Sequence, residues 1–585
     1  MNPLMKTAAR VGIAALIVKL AGGAPVHLVE EPPAKISTPE PGVILVDFGK
    51  VAFGNLELSP PEGAKGRLKV HFGEAEENGR INRKPPGTVR YAVAETDFTG
   101  GTPLIAAPPA DARNTKQPAA ILTPSDWGVV LPFRWVEIEG WPGQLEPDQI
   151  LRRSAFASTW NDDSAAFDSS DETLDRIWEL CRYSIKATTF AGVYVDGDRE
   201  RIPYEADAYL NQLSHYAVDN DIQMARDTYD RLMAHPTWPT EWAPHMVFMA
   251  HADWMHTGDA EWLKPRYEAL KSKLLMDRVR EDGLVTSNDR QQKRDDIVDW
   301  PKGERDGYVF REINTVVNAF HIAAVRRMAD IADAVGKTDE ADSYRQRAEK
   351  TGKRFNELLF NKRTGVYRDG IGTDHASAHA SLFPLAFGLV PQEHIGTVTT
   401  HLKKRGMACS VYAAQYLMEA LFENGADKAA LDLILAKGDR SWRHMLESGT
   451  TISWEAWDQR YKPNQDWNHA WGAAPANLLP RYVIGAQPLT PGWKTTRIRP
   501  CLSGLTETKG KVPTPHGPIH VHWSKRGAVL GLRLELPEGI EAKVELPAIG
   551  GNKVTADGHD VPVTKEGSVL KLEEKFTGST EFTVR

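Results

Sequence analysis

The hydrophobic period of this chain changes twice, and those two changes limit its architecture more than any other feature. From Val43 to about Ser158 apolar residues alternate with polar ones, as at Leu68, Val70 and Phe72. Gly and Pro clusters such as Ser59 to Gly63 and Gly100 to Pro109 break the runs. Short alternating runs between turn signals read as a β-sandwich. Near Asp171 the spacing becomes helical. Leu174, Ile177, Trp178, Cys181 and Ile185 share one face, behind a cap at Ser170 or Asp171. Val317, Phe320, Ala324, Met328 and Ile331 make another stripe, and Tyr344, Ala348, Phe355 and Leu359 the next. Strand period returns after Pro488, at Ile519, Val521 and Trp523 and then at Leu530, Leu532, Leu534 and Leu536. The expected organisation is a signal segment and linker over 1–42, an N-terminal β-sandwich over 43–158, a helical barrel or toroid over 159–488, and a C-terminal β-sandwich over 489–585. No short-period repeat marks a regular solenoid.

At 585 residues the chain is too long for one core and calls for roughly two to four domains. Its net charge of -7 argues against non-specific nucleic-acid binding. No stretch approaches the roughly 20 apolar residues of a membrane span. The three cysteines, Cys181, Cys409 and Cys501, are far apart and show neither a disulfide framework nor a zinc spacing. At the N-terminus Lys6 and Arg10 precede an apolar run, Val11 to Val18, and small residues follow from Ala21 to Ala24. That is the layout of a secretory signal, though Lys19 interrupts it. The location is periplasmic or secreted if the segment is a signal, and cytoplasmic otherwise.

Two stretches carry the chemistry. Gly192 to Ala208, GVYVDGDRERIPYEADA, holds Asp196, Asp198, Glu200, Glu205 and Asp207 around Arg199 and Arg201. Carboxylates this dense repel one another unless something uses them. The bland alternative is an exposed loop running into a salt-bridged helix start. Pro203 suits a first helical turn, which places Glu200 in the preceding loop and Glu205 and Asp207 at the helix N-terminus. Ser448 to Gly472, SGTTISWEAWDQRYKPNQDWNHAWG, sets Glu455, Asp458 and Asp466 among Trp454, Trp457, Tyr461, Trp467 and Trp471, with His469 close behind. Aromatic rings stack on the apolar face of a sugar, and paired carboxyl groups flank a glycosidic bond. The 17 tryptophans concentrate here, 12 of them from Trp160 to Trp471, so Trp254 and Trp300 join the candidate sugar platforms. Thr237 to His256 adds Trp238, Trp242 and a third candidate acid, Glu241. No transition metal is expected, and loop carboxylates leave calcium open.

At these residues the sequence resembles the bacterial α-L-rhamnosidases of glycoside hydrolase family 78. Glu200, Arg201, Tyr204 and Asp207 fall on the E-R, the W and the final D of the signature D-C-P-x-R-x-E-R-x-G-W-x-G-D. Thr450 through Asp458 is close to T-T-x-W-E-x-W-D, and Asn468, His469, Trp471 and Gly472 resemble the N-H-x-x-G element that follows. Weaker matches lie at Asp47 to Gly49, Phe133 to Gly140 and Arg481 to Pro500. The resemblance implies a central (α/α)6 barrel flanked by β-sandwiches and an inverting hydrolase of terminal α-L-rhamnose. It implies Glu200 as general acid and Glu455 as general base, with Asp196 or Asp198, Asp207 and His469 binding the sugar; Arg199 and the rings of Trp254, Trp300, Trp454, Trp457 and Trp471 are further candidate contacts read from the two stretches and the aromatic clusters. Glu200 is then expected to be buried and protonated, and Glu455 ionised and more open to solvent. The C-P pair is absent, Gly-Trp is Pro203-Tyr204, and Thr-Gly before the last Asp is Glu205-Ala206. These departures bear on which sugar is taken. Two other classes compete: a carbohydrate-binding protein on a degenerate hydrolase scaffold, and a polysaccharide lyase using Tyr204 and Arg201.

Overall fold

The computed structural model describes residues 25–111, 113, 120–549 and 551–585. The expected signal, Lys6 to Ala24, lies outside them. The N-terminal domain is an eight-stranded sheet built on the long strand Val43–Leu58, whose register with Leu131–Glu139 shifts at an irregularity between Asp47 and Ala52. Side chains alternate across a strand, and Ile44, Val46 and Leu56 meet Leu68, Val70, Phe72, Phe133, Val136 and Ile138 in one core. The linker expected before Val43 instead holds two strands from Val26 on: Val26–Glu31 pairs with Ile150–Ala157, and Lys35–Glu40 pairs with Val43–Leu58. Neither strand has a fully buried residue, so no apolar alternation announced them.

The helical domain is a closed ring. Six inner helical segments touch in order around it: Glu205–Val218, His245–Thr257, Thr315–Ala334, Ala378–Ala386, Val411–Glu423, and Pro475–Leu478 continuing into Leu479–Ile484. Helices such as Glu172–Ala187, Thr338–Leu359 and Asp427–Ile434 pack outside it. The apolar stripes point inward: Leu174, Ile177, Val317, Phe320, Met328 and Phe355 are all completely buried. Asp171, Asn314, Ser377 and Ser410 cap their helices by accepting backbone N–H bonds in the first turn. Aromatic rings fill the centre, where Phe320 lies 4.9 Å from Phe383 and 5.0 Å from Phe387, centroid to centroid. This plug closes the barrel, so the loops entering the inner helices form a basin at one end. The positive ends of the helix dipoles converge under it, where carboxylates are best tolerated.

A seven-stranded and a five-stranded sheet make the C-terminal domain, with Leu530, Leu532 and Leu534 buried between turns. Its sheets also take strands from either side of the barrel. Ala166–Ser169 pairs with Glu507–Val512, and Ala486–Pro488 pairs with Thr495–Ile498. Among the described residues no helix is long and apolar enough to cross a membrane.

Candidate functional site

The first carboxylate stretch is a tight loop leading into Glu205–Val218. Its base is closed by Asp196 and Ile202, the Ile202 N–H donating to Asp196 Oδ1 at 3.0 Å. Gly197 sits at φ +110°, and a Cβ there would lie 2.6 Å from Asp466 Oδ2. Only glycine adopts that backbone so close to another loop. The reversal sends Asp196 into a cleft and Asp198 away from it. Helix Glu205–Val218 begins after Pro203, not with it.

One guanidinium joins the two stretches. Arg199 Nη1 donates to Glu200 Oε1 at 2.8 Å and Nη2 donates to Glu455 Oε1 at 2.8 Å. The Tyr204 hydroxyl donates to the other oxygen of Glu200 at 2.8 Å. Lys462 lies 3.1 Å from Glu455 Oε1. Burial raises the Glu455 pKa and Asp466 adds to it, while His469, Arg199 and Lys462 pull it back. Asp196 rises well above the carboxylate range, through burial first and then the charge of Glu200, and its Oδ2 has no partner. Burial alone would lower the His469 pKa. Its bonds to Asp207 at 2.8 Å and Asp466 at 3.2 Å outweigh burial and raise it, so the ring is an imidazolium.

Aromatic rings wall this floor. The cleft has a volume of about 190 Å³, and Trp238, Trp242, Trp300, Trp471, Tyr204 and Ile297 line it beside Asp196, Arg199, Glu200, Asp207, Glu455 and His469. That is smaller than the ~300–1,000 Å³ of sites for drug-sized ligands and is on the scale of one sugar ring. Trp238 stands at the surface, 45% exposed. Buried acids hold the wall loops in place. Glu205 accepts from the N–H and hydroxyl of Thr237, next to Trp238. Glu241 accepts from the N–H groups of Ile297 and Val298 at 3.0 and 2.9 Å. Asp299, next to Trp300, receives His379, the Ser410 N–H and the Ser410 hydroxyl.

The model of the bacterial alpha-L-rhamnosidase 6 hairpin glycosidase domain matches residues 162–483, more than half of the chain. The chain belongs to the bacterial alpha-L-rhamnosidase family. The family's concanavalin-like domain matches residues 37–156 and its C-terminal domain residues 485–559. An alpha-L-rhamnosidase of Alteromonas sp. (strain LOR) is 22% identical over 74% of this chain and 50% of its own length. One from Streptomyces avermitilis is 22% identical over 96% of this chain and 54% of its own. The chain therefore spans about half the length of the curated relatives it matches. In fold it is similar to the alpha-L-rhamnosidase of Dictyoglumus thermophilum, with a TM-score of 0.79 at 18% identity, over 96% of this chain and 64% of that one. It is similar also to the Streptomyces avermitilis enzyme complexed with L-rhamnose, with a TM-score of 0.78 at 18% identity, over 96% of this chain and 54% of that one. The architecture is that of this family: a six-hairpin helical domain between two β domains.

Within this rhamnosidase fold, four residues expected at the sugar do not line the cleft. Asp198 is 1% exposed and paired with Arg90 and Arg201. Those guanidiniums outweigh its burial and hold its pKa below the ordinary value. Trp457 is core: completely buried, edge-on to Trp442, its Nε1 donating to the Cys409 carbonyl at 2.7 Å. Trp454 stacks on Trp467 at 5.2 Å. Trp254 lies on helix His245–Thr257 beside His251. Trp471 does line the cleft, although it is 2% exposed, and it donates to the Glu455 carbonyl. The expected contrast between the glutamates is reversed, since the Glu200 side chain is 27% exposed and that of Glu455 2%. Glu455 lies under the loop that carries Asp466 and His469, whereas Glu200 stands at a loop tip. Ile297 and Lys462 were not singled out in the sequence, whereas Tyr204, Trp238 and Trp242, noted there without a place at the sugar, do line the cleft. The segment PTWPTEW, with two tryptophans between prolines just before an inner helix, is the signal that marks Trp238 and Trp242.

Glu455, Asp466 and His469 bring ligand atoms within 4.8 Å of one another, the one such trio of His, Cys, Asp or Glu among the described residues. Their lone pairs are already engaged. Both His469 nitrogens donate to carboxylates, and Glu455 carries Arg199 and Lys462. A cation there would have to displace three protein cations, so the donor set does not fit calcium, which takes six to eight oxygens.

Proposed function

We propose that this chain hydrolyses a terminal α-L-rhamnoside, or a glycoside of a closely related sugar, with inversion at the anomeric carbon. The observation that carries the reading is the Arg199 bridge, which sets Glu200 and Glu455 on one cation in a tryptophan-walled cleft of a rhamnosidase-family chain. In a cleft for one terminal sugar the leaving group lies toward the mouth. Glu200, the more exposed glutamate, is then the general acid. Glu455, deeper and flanked by Arg199 and Lys462, takes a proton from the attacking water. Asp196, His469 and Asp207 bind hydroxyl groups, Asp196 with its unpartnered oxygen.

A lyase is disfavoured. Arg201, which would neutralise a uronate, is buried against Asp198 and the Val130 carbonyl, and Tyr204 donates to Glu200. Proton NMR of early hydrolysis of an aryl α-L-rhamnoside tests the proposal. The first sugar released should be the opposite anomer. Release of the retained anomer, or a glycosyl-enzyme trapped on Glu455, sinks the inverting mechanism; no hydrolysis across a panel of aryl glycosides sinks the enzyme.

A further inference from the structure

The N-terminal sheet reaches the site through four residues that close into a ring. Glu74 and Arg90 come from the N-terminal domain, Asp198 from the first site loop and Asn468 from the second. The Arg90 Nε–H donates to Asp198 Oδ2. The Asp198 N–H donates to Asn468 Oδ1 at 2.7 Å. Asn468 Nδ2 donates to Glu74 Oε1 at 2.8 Å, and Glu74 Oε2 accepts the Arg90 backbone N–H at 2.6 Å. Their exposures are 6% for Glu74, 3% for Arg90, 1% for Asp198 and 0% for Asn468, and none lines the cleft. Nearby, the Thr88 N–H donates to the Gln465 carbonyl at 3.2 Å, so the same segment of the sheet domain also grips the second loop by its backbone.

We infer that Arg90 and Glu74 are positioning residues for the glycosidase site, fixing Asp198 and Asn468 and, through them, their chain neighbours Arg199, Glu200 and His469. This rests on the hydrolase reading of the cleft. The two site loops approach each other at Gly197, where even a methyl group would strike Asp466. The Arg199–Glu455 pair joins them at the cleft, and the ring holds them from behind. It is buried, so its bonds exchange little for solvent bonds, and removing Arg90 takes from Asp198 one of its two guanidinium partners. Burial raises the Glu74 pKa to about 8, and Asp198 and Asp466 add to it against the bonds from Arg90 and Asn468. Arg113 also faces this carboxyl. The wall loops with Trp238, Trp242 and Trp300 are held by Glu205, Glu241 and Asp299 instead, so loosening the ring disturbs the reacting carboxylates more than the sugar platforms.

The test is Arg90→Met with Arg90→Lys and Glu74→Gln, read by amide hydrogen exchange and by steady-state kinetics on an aryl α-L-rhamnoside. Arg90→Met should speed exchange at 197–200 and 466–469 by about 10-fold or more, and lower kcat by about 10²-fold, the penalty of an ångström-scale misplacement. KM should move by less than about 3-fold, and Arg90→Lys should recover part of kcat. Unchanged exchange in both loops, or a kcat within about 2-fold of wild type, overturns the inference. So does a kcat loss that only tracks the unfolded fraction. Should Arg90→Met not fold, Arg90→Lys and Glu74→Gln carry the same readouts. Exchange needs no substrate: a wild-type protein inert on rhamnosides refutes the hydrolase reading, while the exchange data still decide whether the ring holds the loops.

Discussion

Glu74→Gln should change the slope of stability against pH, and its size follows from the burial of that side chain. Glu74 has its pKa at about 8 in the folded chain, against the usual 4.5 for a glutamate. Below pH 4.5 folded and unfolded chains are both protonated, and the shift has no effect on stability. Between 4.5 and 8 the folded chain keeps a proton that the unfolded chain has released, so stability is lost as pH rises through this window. Above 8 the loss is complete. At about 1.4 kcal/mol per unit it amounts to roughly 5 kcal/mol. Glutamine has no charge to bury and escapes this loss. It accepts only one of the two N–H bonds from Arg90 and Asn468, which costs about 1–2 kcal/mol at every pH. The variant should therefore melt below wild type at pH 5 and above it at pH 9. At ~2–4 °C per kcal/mol for a domain of this size, the two curves should separate by about 10 °C over that span. Calorimetric or near-UV melting at several pH values measures it. Parallel curves would falsify the argument, because they would mean that Glu74 ionises as freely in the fold as outside it.

Glu200→Gln and Glu455→Gln should each lower kcat by at least ~10²-fold, the scale of general acid–base help, and near wild-type turnover in either removes that assignment. Because burial and Asp466 raise the Glu455 pKa, its ionised form destabilises the fold above the ordinary carboxylate range. The melting temperature of Glu455→Gln relative to wild type should therefore rise as pH rises above the ordinary carboxylate range, which differential scanning calorimetry at several pH values checks. Trp457→Ala should destabilise by about 3–5 kcal/mol as a core truncation, whereas the exposed Trp238→Ala should leave the melting temperature almost unchanged and raise KM. The opposite pattern would return Trp457 to the sugar site.

The outline of this fold is legible because period is a local property. Leu174 to Ile185 and Val317 to Ile331 are buried where helical spacing places them. The site is legible in part. Asp196, Arg199, Glu200, Asp207, Trp300, Glu455, His469 and Trp471 do meet in one cleft. What composition does not carry is direction. Trp454, Trp457 and Trp471 sit in an irregular loop without a period, so nothing local separates the ring that lines the cleft from the two that pack beneath it. Asp196 and Asp198 differ only in which side of Gly197 they occupy, and a positive φ at that glycine sends them opposite ways. The burial of Glu455 depends on Lys462 and Asp466 folding back over it, which residue spacing does not report. The partners of Asp198 and Asn468 lie in another domain, more than 100 residues from Asp198 and nearly 400 from Asn468.

The acids behind the cleft walls bear on how such a rim is re-engineered. Glu205, at the start of one inner helix, holds the loop that enters the next. Glu241, in that next loop, holds the one after. Asp299 in turn reaches His379 and Ser410 on the two inner helices beyond. Each wall is thus latched from the hairpin upstream of it. A loop grafted here from a relative, to admit a different sugar, arrives without its latch unless the acid one hairpin earlier is transplanted with it. The unit of exchange in this rim is a loop together with its neighbour's carboxylate.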